Sequence, residues 1–328
     1  KGGITIDYDE FAYPCKAKKE TSPFYLHSLA MLYNFEAANP YQCRYLEIGA
    51  ANGGNLWNLA ELSPNSEFIG VDISTRQIQQ GIKIIKQLDL KNLMLISMDL
   101  TMLAENDFGS FDYIVAHGVY SWLPLEVRQS FFSVCKHLLK PNGVLFVSAN
   151  IKPGFYYKSM ARDVMTFGWK INGQFSSSVE FLKSSLSFST TSNRSYAKAL
   201  EHDFNIIQKS DPLYAIHDYL ELNNEGFYFY EVAEKAAEHH LTFLSDAVID
   251  RDRIGSPPAH VDWFLNKYAA NHLEREQYID FVLGRSFREF LFVHDDAPFS
   301  DKIDDSVIEQ SFITANLVNN APNQQDKT

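Results

Sequence analysis

The sequence predicts a doubly wound α/β fold on one mostly parallel sheet. Three observations carry that expectation. Five short, strongly apolar runs recur between residues 44 and 150. Stretches with one apolar face at helical spacing separate them. The first run ends in a glycine-rich turn that opens a helix. Alternation of this kind packs helices on both faces of a parallel sheet. Its ligand site lies at the carboxyl ends of the strands, where strand order reverses.

The strand candidates are RYLEI (44–48), EFIGVD (67–72), LMLISM (93–98), FDYIVA (111–116) and GVLFVS (143–148). Several are almost continuously apolar, as a strand buried on both faces requires. Between them, Leu56, Leu59 and Ala60 share one helix face. Ile78, Ile82, Ile85 and Leu88 share a second, and Val127, Phe131, Val134 and Leu138 a third. After Pro153 the pattern changes. Residues 156–167 read as a helix. Residues 173–195, rich in Ser, Thr and Asn, read as a loosely held loop with few buried side chains. Residues 213–240 read as helical, 241–249 as a strand, 261–283 as helical and 287–294 as a last strand. Placing the last two strands in the same sheet makes seven. The end of the chain is acidic and then polar, and reads as frayed.

Composition narrows the function. The 328 residues are 45% hydrophobic, which excludes a disordered chain. Lys and Arg number 29 against 41 Asp and Glu, and the net charge of −12 argues against a general nucleic-acid binder. No apolar run approaches the roughly 18 residues of a membrane span, and KGGITIDYDE has no signal-peptide pattern. Cys15, Cys43 and Cys135 form no CxxC or zinc spacing and read as reduced thiols of a cytoplasmic protein. His239, His240 and the scattered His202, His217, His260 and His272 read as helix-surface residues, not metal ligands. The acidic run Asp295 to Asp305 reads as a solvated surface.

The chemistry gathers at the strand ends. In LEIGAANGGN (46–55), Gly49, Gly53 and Gly54 permit a tight turn before a helix. The run nearly matches the dinucleotide fingerprint, with Ala51 at its middle glycine. Glu47 decides between ligands. A dinucleotide sets a pyrophosphate at this helix N-terminus, which a carboxylate one turn earlier repels. S-adenosylmethionine brings an ammonium and a sulfonium and no phosphate, so the acid helps. Asp72 ends the second strand, where a carboxylate can accept both ribose hydroxyls. Asp99 follows the third, where it can accept from the adenine amino group, with Leu100 beside it. The competing reading makes Asp72 and Asp99 helix caps. The candidate donor set is Glu47, Gly49, Ala50, Gly53, Asn55, Asp72, Ile73, Asp99, Leu100, His117, Gly118 and Val119. After the fourth strand, Tyr120 and Trp122 offer aromatic faces to a cation, or pack in the core. Asn150 ends the fifth strand near the same crevice, or simply serves the turn before Pro153.

LEIGAANGGN, GVDIS, Asp99 and LLKPNGVLFVS resemble the class I S-adenosylmethionine-dependent methyltransferases. YDEFAYP (8–14), HGVYSWLP (117–124), PGFYYKSMARDVM (153–165) and REQYIDFVLGRSFREFLFVH (275–294) resemble a narrower group, the bacterial methyltransferases with a methyltransferase regulatory domain. That group includes rickettsial protein lysine methyltransferases acting on outer-membrane proteins. The likeness runs from about residue 7 to about 317. It implies a Rossmann-like methyltransferase sheet with a helical insertion between strands five and six. It implies S-adenosylmethionine as donor, S-adenosylhomocysteine as product and a protein lysine as acceptor. It also implies that Tyr8, Asp9 and Tyr13 belong to a segment folding over the site. Two departures concern the acceptor side: Thr21-Ser22-Pro23 replaces Thr-His-Pro, and Ala149–Phe155 keeps only Asn150, Pro153 and Gly154 of the usual run. The chain divides accordingly into a covering segment (1–35), a donor-binding core (36–155), a helical regulatory region (156–240), the last two strands with their helices (241–300) and a tail (301–328).

Donor binding rests on the twelve residues above, and Tyr13, Tyr120, Trp122 and Asn150 are the candidates around the acceptor. The rival readings are a small-molecule methyltransferase, a non-catalytic S-adenosylmethionine-binding module and an NAD-dependent oxidoreductase.

Overall fold

The computed structural model describes residues 4, 8, 9, 13, 15–248, 259–304, 306 and 307. Positions 10–12 and 14 of the YDEFAYP run, residue 249 of the sixth expected strand and the tail beyond 307 lie outside the described residues.

The strands are β1 (Arg44–Ile48), β2 (Glu67–Asp72), β3 (Leu93–Ser97), β4 (Phe111–Ala116), β5 (Leu139–Ile151), β6 (Gly226–Phe227), β7 (Leu241–Asp246) and β8 (Phe287–His294). They form one sheet in the order β3-β2-β1-β4-β5-β8-β7, with the two-residue β6 paired to β5. Pairings are parallel except those of β8, which runs antiparallel to both β5 and β7. The order reverses between β1 and β4, so the ligand crevice is expected above those two strands.

Both faces of the sheet are covered. On one, Leu46, Ile48, Ile114, Leu145 and Val147 pack with Phe131, Phe132 and Leu138 of α4 (Leu125–Leu138). On the other, Tyr45, Phe68, Tyr113, Val144 and Phe146 pack with Leu26 and Leu29 of α1 (Pro23–Leu32) and Ile78 and Ile85 of α3 (Thr75–Gln87). Alternate strand residues feed opposite layers, which is why these strands read as continuous apolar runs. A short α2 (Trp57–Leu62) follows the glycine turn.

The insertion holds α5 (Phe155–Asn172), α6 (Phe175–Ser192), α7 (Arg194–Lys209) and α8 (Pro212–Leu220). It has its own core, which includes Ala161, Met165, Leu182, Leu200, Phe204, Ile216 and Tyr219. Here the structure corrects the sequence reading. Residues 173–195 are not a loop: most of them form α6, with only Ser178, Leu182 and Ser189 buried. Two of its serines, Ser178 and Ser189, are small buried residues. A Cβ on Gly168 of α5 would stand 3.0 Å from the Ser178 Cα, so the two helices approach closely. The expected helix 213–240 is broken after Leu220 by an irregular run through Asn223 and Asn224 and by β6, then resumes as α9 (Phe229–Ala237). The helical stretch 261–283 is two helices, α10 (Ala259–Tyr268) and α11 (His272–Leu283). The Asn271 side chain accepts from the Glu274 N–H and restarts the second. Among the described residues no helix is long and apolar enough to cross a membrane.

Candidate functional site

A cavity of about 1680 Å³ opens above the carboxyl ends of the parallel strands and continues between the core and the insertion. Glu47, Gly49, Asn55, Asp72, Ile73, Asp99, Leu100, His117, Gly118 and Val119 line its core side. Tyr13, Trp122 and Asn150 line it as well. Three expected residues stand behind the wall. Ala50 is buried in the apolar layer under the turn. Gly53 faces inward, where an added Cβ would stand 3.0 Å from Leu95. Tyr120 packs against Phe131, Phe132 and Phe227. Large rings and small turn residues satisfy packing there, so none of the three reaches the cavity.

The turn is held by its acids. Gly49 and Ala50 both donate to the Val71 carbonyl. Ala51 adopts a left-handed φ of 50°, rare for a residue with a Cβ. Its N–H donates to Asp72 Oδ2 at 2.8 Å, while Asp72 Oδ1 accepts from the Ser74 N–H at 2.8 Å. Each oxygen keeps a lone pair for a further donor. Burial raises the Asp72 carboxyl, with the Ser74 and Ala51 N–H groups opposing. Gly49 has φ 78°, and a Cβ there would strike Val119 Cγ2 at 2.5 Å. Asp99 does cap the short 3-10 turn Leu100–Glu105: its Oδ1 accepts from both the N–H and the hydroxyl of Thr101.

Glu47 is the most buried acid of the set, 6% exposed. Its Oε1 accepts from Asn55 Nδ2 at 3.0 Å, and Oε2 has no hydrogen-bond partner among the described residues. Asn55 also donates to Thr21 Oγ1 and accepts from the Lys18 N–H. A buried carboxylate oxygen beside the cavity, lacking a donor, suits an ammonium group such as the donor's α-amine. Burial pushes the Glu47 carboxyl from 4.5 up to about 8; the Asn55 bond opposes this and Asp72 adds to it. The folded pKa is raised, so stability from this proton falls as pH climbs from about 4.5 through about 8. Binding a cation beside it should expel the proton. We therefore expect the calorimetric heat of S-adenosylhomocysteine binding at pH 7 to depend on buffer ionisation enthalpy. Glu47→Gln should remove that dependence, and a wild-type heat independent of buffer would contradict it.

Long-range contacts complete the site. Asp9 Oδ1 accepts from Ser74 Oγ and the Arg76 N–H at the start of α3. Ile4 exchanges backbone hydrogen bonds with Leu220 and Leu222 at the end of α8. Tyr8 stacks on His217 at 5.1 Å and Tyr13 meets the same ring edge-on at 5.5 Å. His117 Nε2 lies 3.4 Å from Glu289 Oε1. Asn150 Nδ2 donates to Asn224 Oδ1. The sequence reading missed Tyr157 and Lys158 of α5 and Tyr214, His217, Asp218 and Glu221 at α8, all of which line the cavity. The last four recur at helical spacing, a polar stripe that could have flagged them.

Comparison with known proteins agrees with this geometry. Residues 46–145 match the family described as a methyltransferase domain, and residues 211–294 the family described as a predicted methyltransferase regulatory domain. The chain is 36% identical to the uncharacterized protein RP028 of Rickettsia prowazekii, over 73% of this chain and 97% of that protein. It is also 36% identical to RP789 of the same organism, over 96% of this chain and 57% of RP789. The solved structure of PKMT2 from Rickettsia typhi in complex with AdoHcy superposes with a TM-score of 0.81 at 34% identity, covering 90% of this chain and 57% of that one. The chain thus spans little more than half the length of RP789 and PKMT2. It belongs to the S-adenosylmethionine-dependent methyltransferases that carry a methyltransferase regulatory domain.

Proposed function

We propose that the chain methylates lysine side chains of a protein. Glu47, Asp72, Asp99, the Gly49 turn and His117–Val119 hold the donor, and Tyr13, Trp122 and Asn150 stand around the acceptor. The observation that carries this reading is the cavity's extension. Its roughly 1680 Å³ exceeds the ~300–1,000 Å³ of an ordinary small-molecule site. The part beyond the strand ends is lined by acids, including Asp203, Asp218 and Glu221, by the Tyr13 and Tyr214 rings, and by the lysines Lys158, Lys198 and Lys209. Within it, Asp218 and Glu221 beside the Tyr13 and Tyr214 rings suit an amine on a flexible stem, and the net charge of −12 disfavours a nucleic-acid acceptor. Free cysteines at all three positions support work in a reducing compartment, the cytoplasm.

S-adenosylmethionine supplies a methyl group on a sulfonium that is already a good leaving group. The protein's task is to orient the amine and exclude water. A lysine in water is neutral in only about one molecule in two thousand at pH 7. Burial among aromatic rings lowers its pKa and enlarges that fraction. With subsaturating protein acceptor, the rate should climb from about pH 7 to 9. Labelled methyl should appear on lysine-containing peptides by mass spectrometry, and Trp122→Ala should depress turnover far more than donor affinity. Label confined to small molecules, or found on carboxylates, overturns the lysine assignment. Tight donor binding with no transfer to any acceptor points to a binding module instead.

A further inference from the structure

We infer that Asp218 is a docking subsite for the ammonium of an incoming lysine, and that the chain's own Lys158 occupies it as an internal stand-in. This rests on the lysine reading above and names the residue that first recognises the charged side chain.

Lys158 sits near the start of α5 and Asp218 on α8. The Lys158 Nζ donates to Asp218 Oδ2 at 2.5 Å and lies 5.4 Å from the Tyr219 ring centroid. An acid for the charge and a ring face beside it are the two elements that hold an alkylammonium. Asp218 and Lys158 both line the cavity that reaches the donor site. Burial and the nearby Asp218 charge raise the Tyr214 phenol, and the Tyr13 ring packs 6.1 Å from that of Tyr214. Asp218 thus belongs to the same aromatic wall as Tyr13.

The ion pair is not what docks α5 on α8. Arg162 of α5 does that through backbone: its Nη1 donates to the Asp218 carbonyl and its Nη2 to the Glu221 carbonyl, each at 2.6 Å. Ala161 and Met165 of α5 share the insertion's apolar core with Ile216, Tyr219 and Leu220. The Lys158 side chain can therefore leave Asp218 without parting the helices. It is partly exposed and has a flexible four-carbon stem. Because a carboxylate favours the charged amine, the subsite recognises the ammonium; the neutral amine that attacks forms only after the lysine moves on. An incoming lysine must displace a tethered competitor whose effective concentration is in the millimolar range or above.

The test titrates n-butylammonium, a bare mimic of the lysine end, into the full chain and follows binding by NMR. Lys158→Met should bind it at least tenfold more tightly than wild type, and n-butanol should show no such gain. Adding Asp218→Asn to Lys158→Met should abolish the gain, and this neutral pair also avoids leaving a buried charge unpaired. No gain in Lys158→Met, or a gain that survives Asp218→Asn, overturns the inference. If Lys158→Met does not fold, wild type serves. An excess of n-butylammonium well above that effective concentration, but not n-butanol, should move the Lys158 Cε NMR resonance towards that of a solvated lysine; an unmoved resonance overturns the inference. No arm reads methyl transfer. Failure to methylate lysine with these outcomes intact therefore strikes the proposed function alone.

Discussion

Asp72→Ala is expected to weaken S-adenosylhomocysteine binding at least tenfold and to lower the melting temperature of the ligand-free chain. Hydrogen bonds to a charged group contribute about 1.5–3 kcal/mol each, and about 1.4 kcal/mol is a factor of ten. The loss of stability follows from the turn. Without the carboxylate, the Ala51 and Ser74 N–H groups lose their acceptor, and the left-handed Ala51 loses what holds it. Asp72→Asn keeps one carbonyl for those donors and should spare part of the stability while still weakening the ligand. Calorimetry and thermal melts separate the two effects. Weakened stability with unchanged affinity would reduce Asp72 to a turn acceptor.

Arg288→Met should cost about 3–5 kcal/mol, the penalty for stranding buried charges. The Arg288 side chain is fully buried. Its Nε donates to Asp280 Oδ1 at 2.9 Å, its Nη2 to Glu276 Oε2 at 2.6 Å, and its Nη1 lies 3.3 Å from Asp246 Oδ2. Arg285 also reaches Asp246 and Asp280 and would be left facing the acids alone. Burial already raises Asp280 to about 6 against the pull of both arginines. Removing one raises the acids further, so the folded variant holds protons that its unfolded chain releases. Its deficit should therefore be largest near pH 8 and shrink towards pH 5.5, as denaturant melts at the two pH values would show. An equal deficit at both would mean the loss is one of packing and not of charge.

That Glu47, Asp72 and Asp99 gather at one crevice was legible because the signals are local. Glu47, the glycine turn, Asp72 and Asp99 each close a strand whose apolar run marks it, and topology then brings the strand ends together. The roles of Tyr120 and Gly53 were not legible, since proximity in sequence to a site residue says nothing of which way a side chain turns. α6 was missed for a different reason. Its serines suggested a loop, yet Phe175, Val179, Leu182 and Leu186 keep a helical period through them and pack on the insertion core. Composition outweighed periodicity there, and periodicity was the better guide. The far wall of the cavity, built from Tyr13, α5 and α8, depends on pairings far apart in the chain that no single stretch reveals.

The antiparallel pairing of β8 with β5 has a consequence during synthesis. β1 to β5 can assemble as soon as residue 151 has left the ribosome, but β8 is made only after the whole insertion. Until then one edge of β5 is open, and that strand carries Val144, Leu145, Phe146 and Val147, all fully buried in the finished protein. An uncovered apolar edge is a template for pairing with another chain, and nascent intermediates that expose one are prone to aggregate. The insertion delays closure of the sheet, while the buried Arg288, opposite Ala149 in the register, locks β8 in place once it arrives.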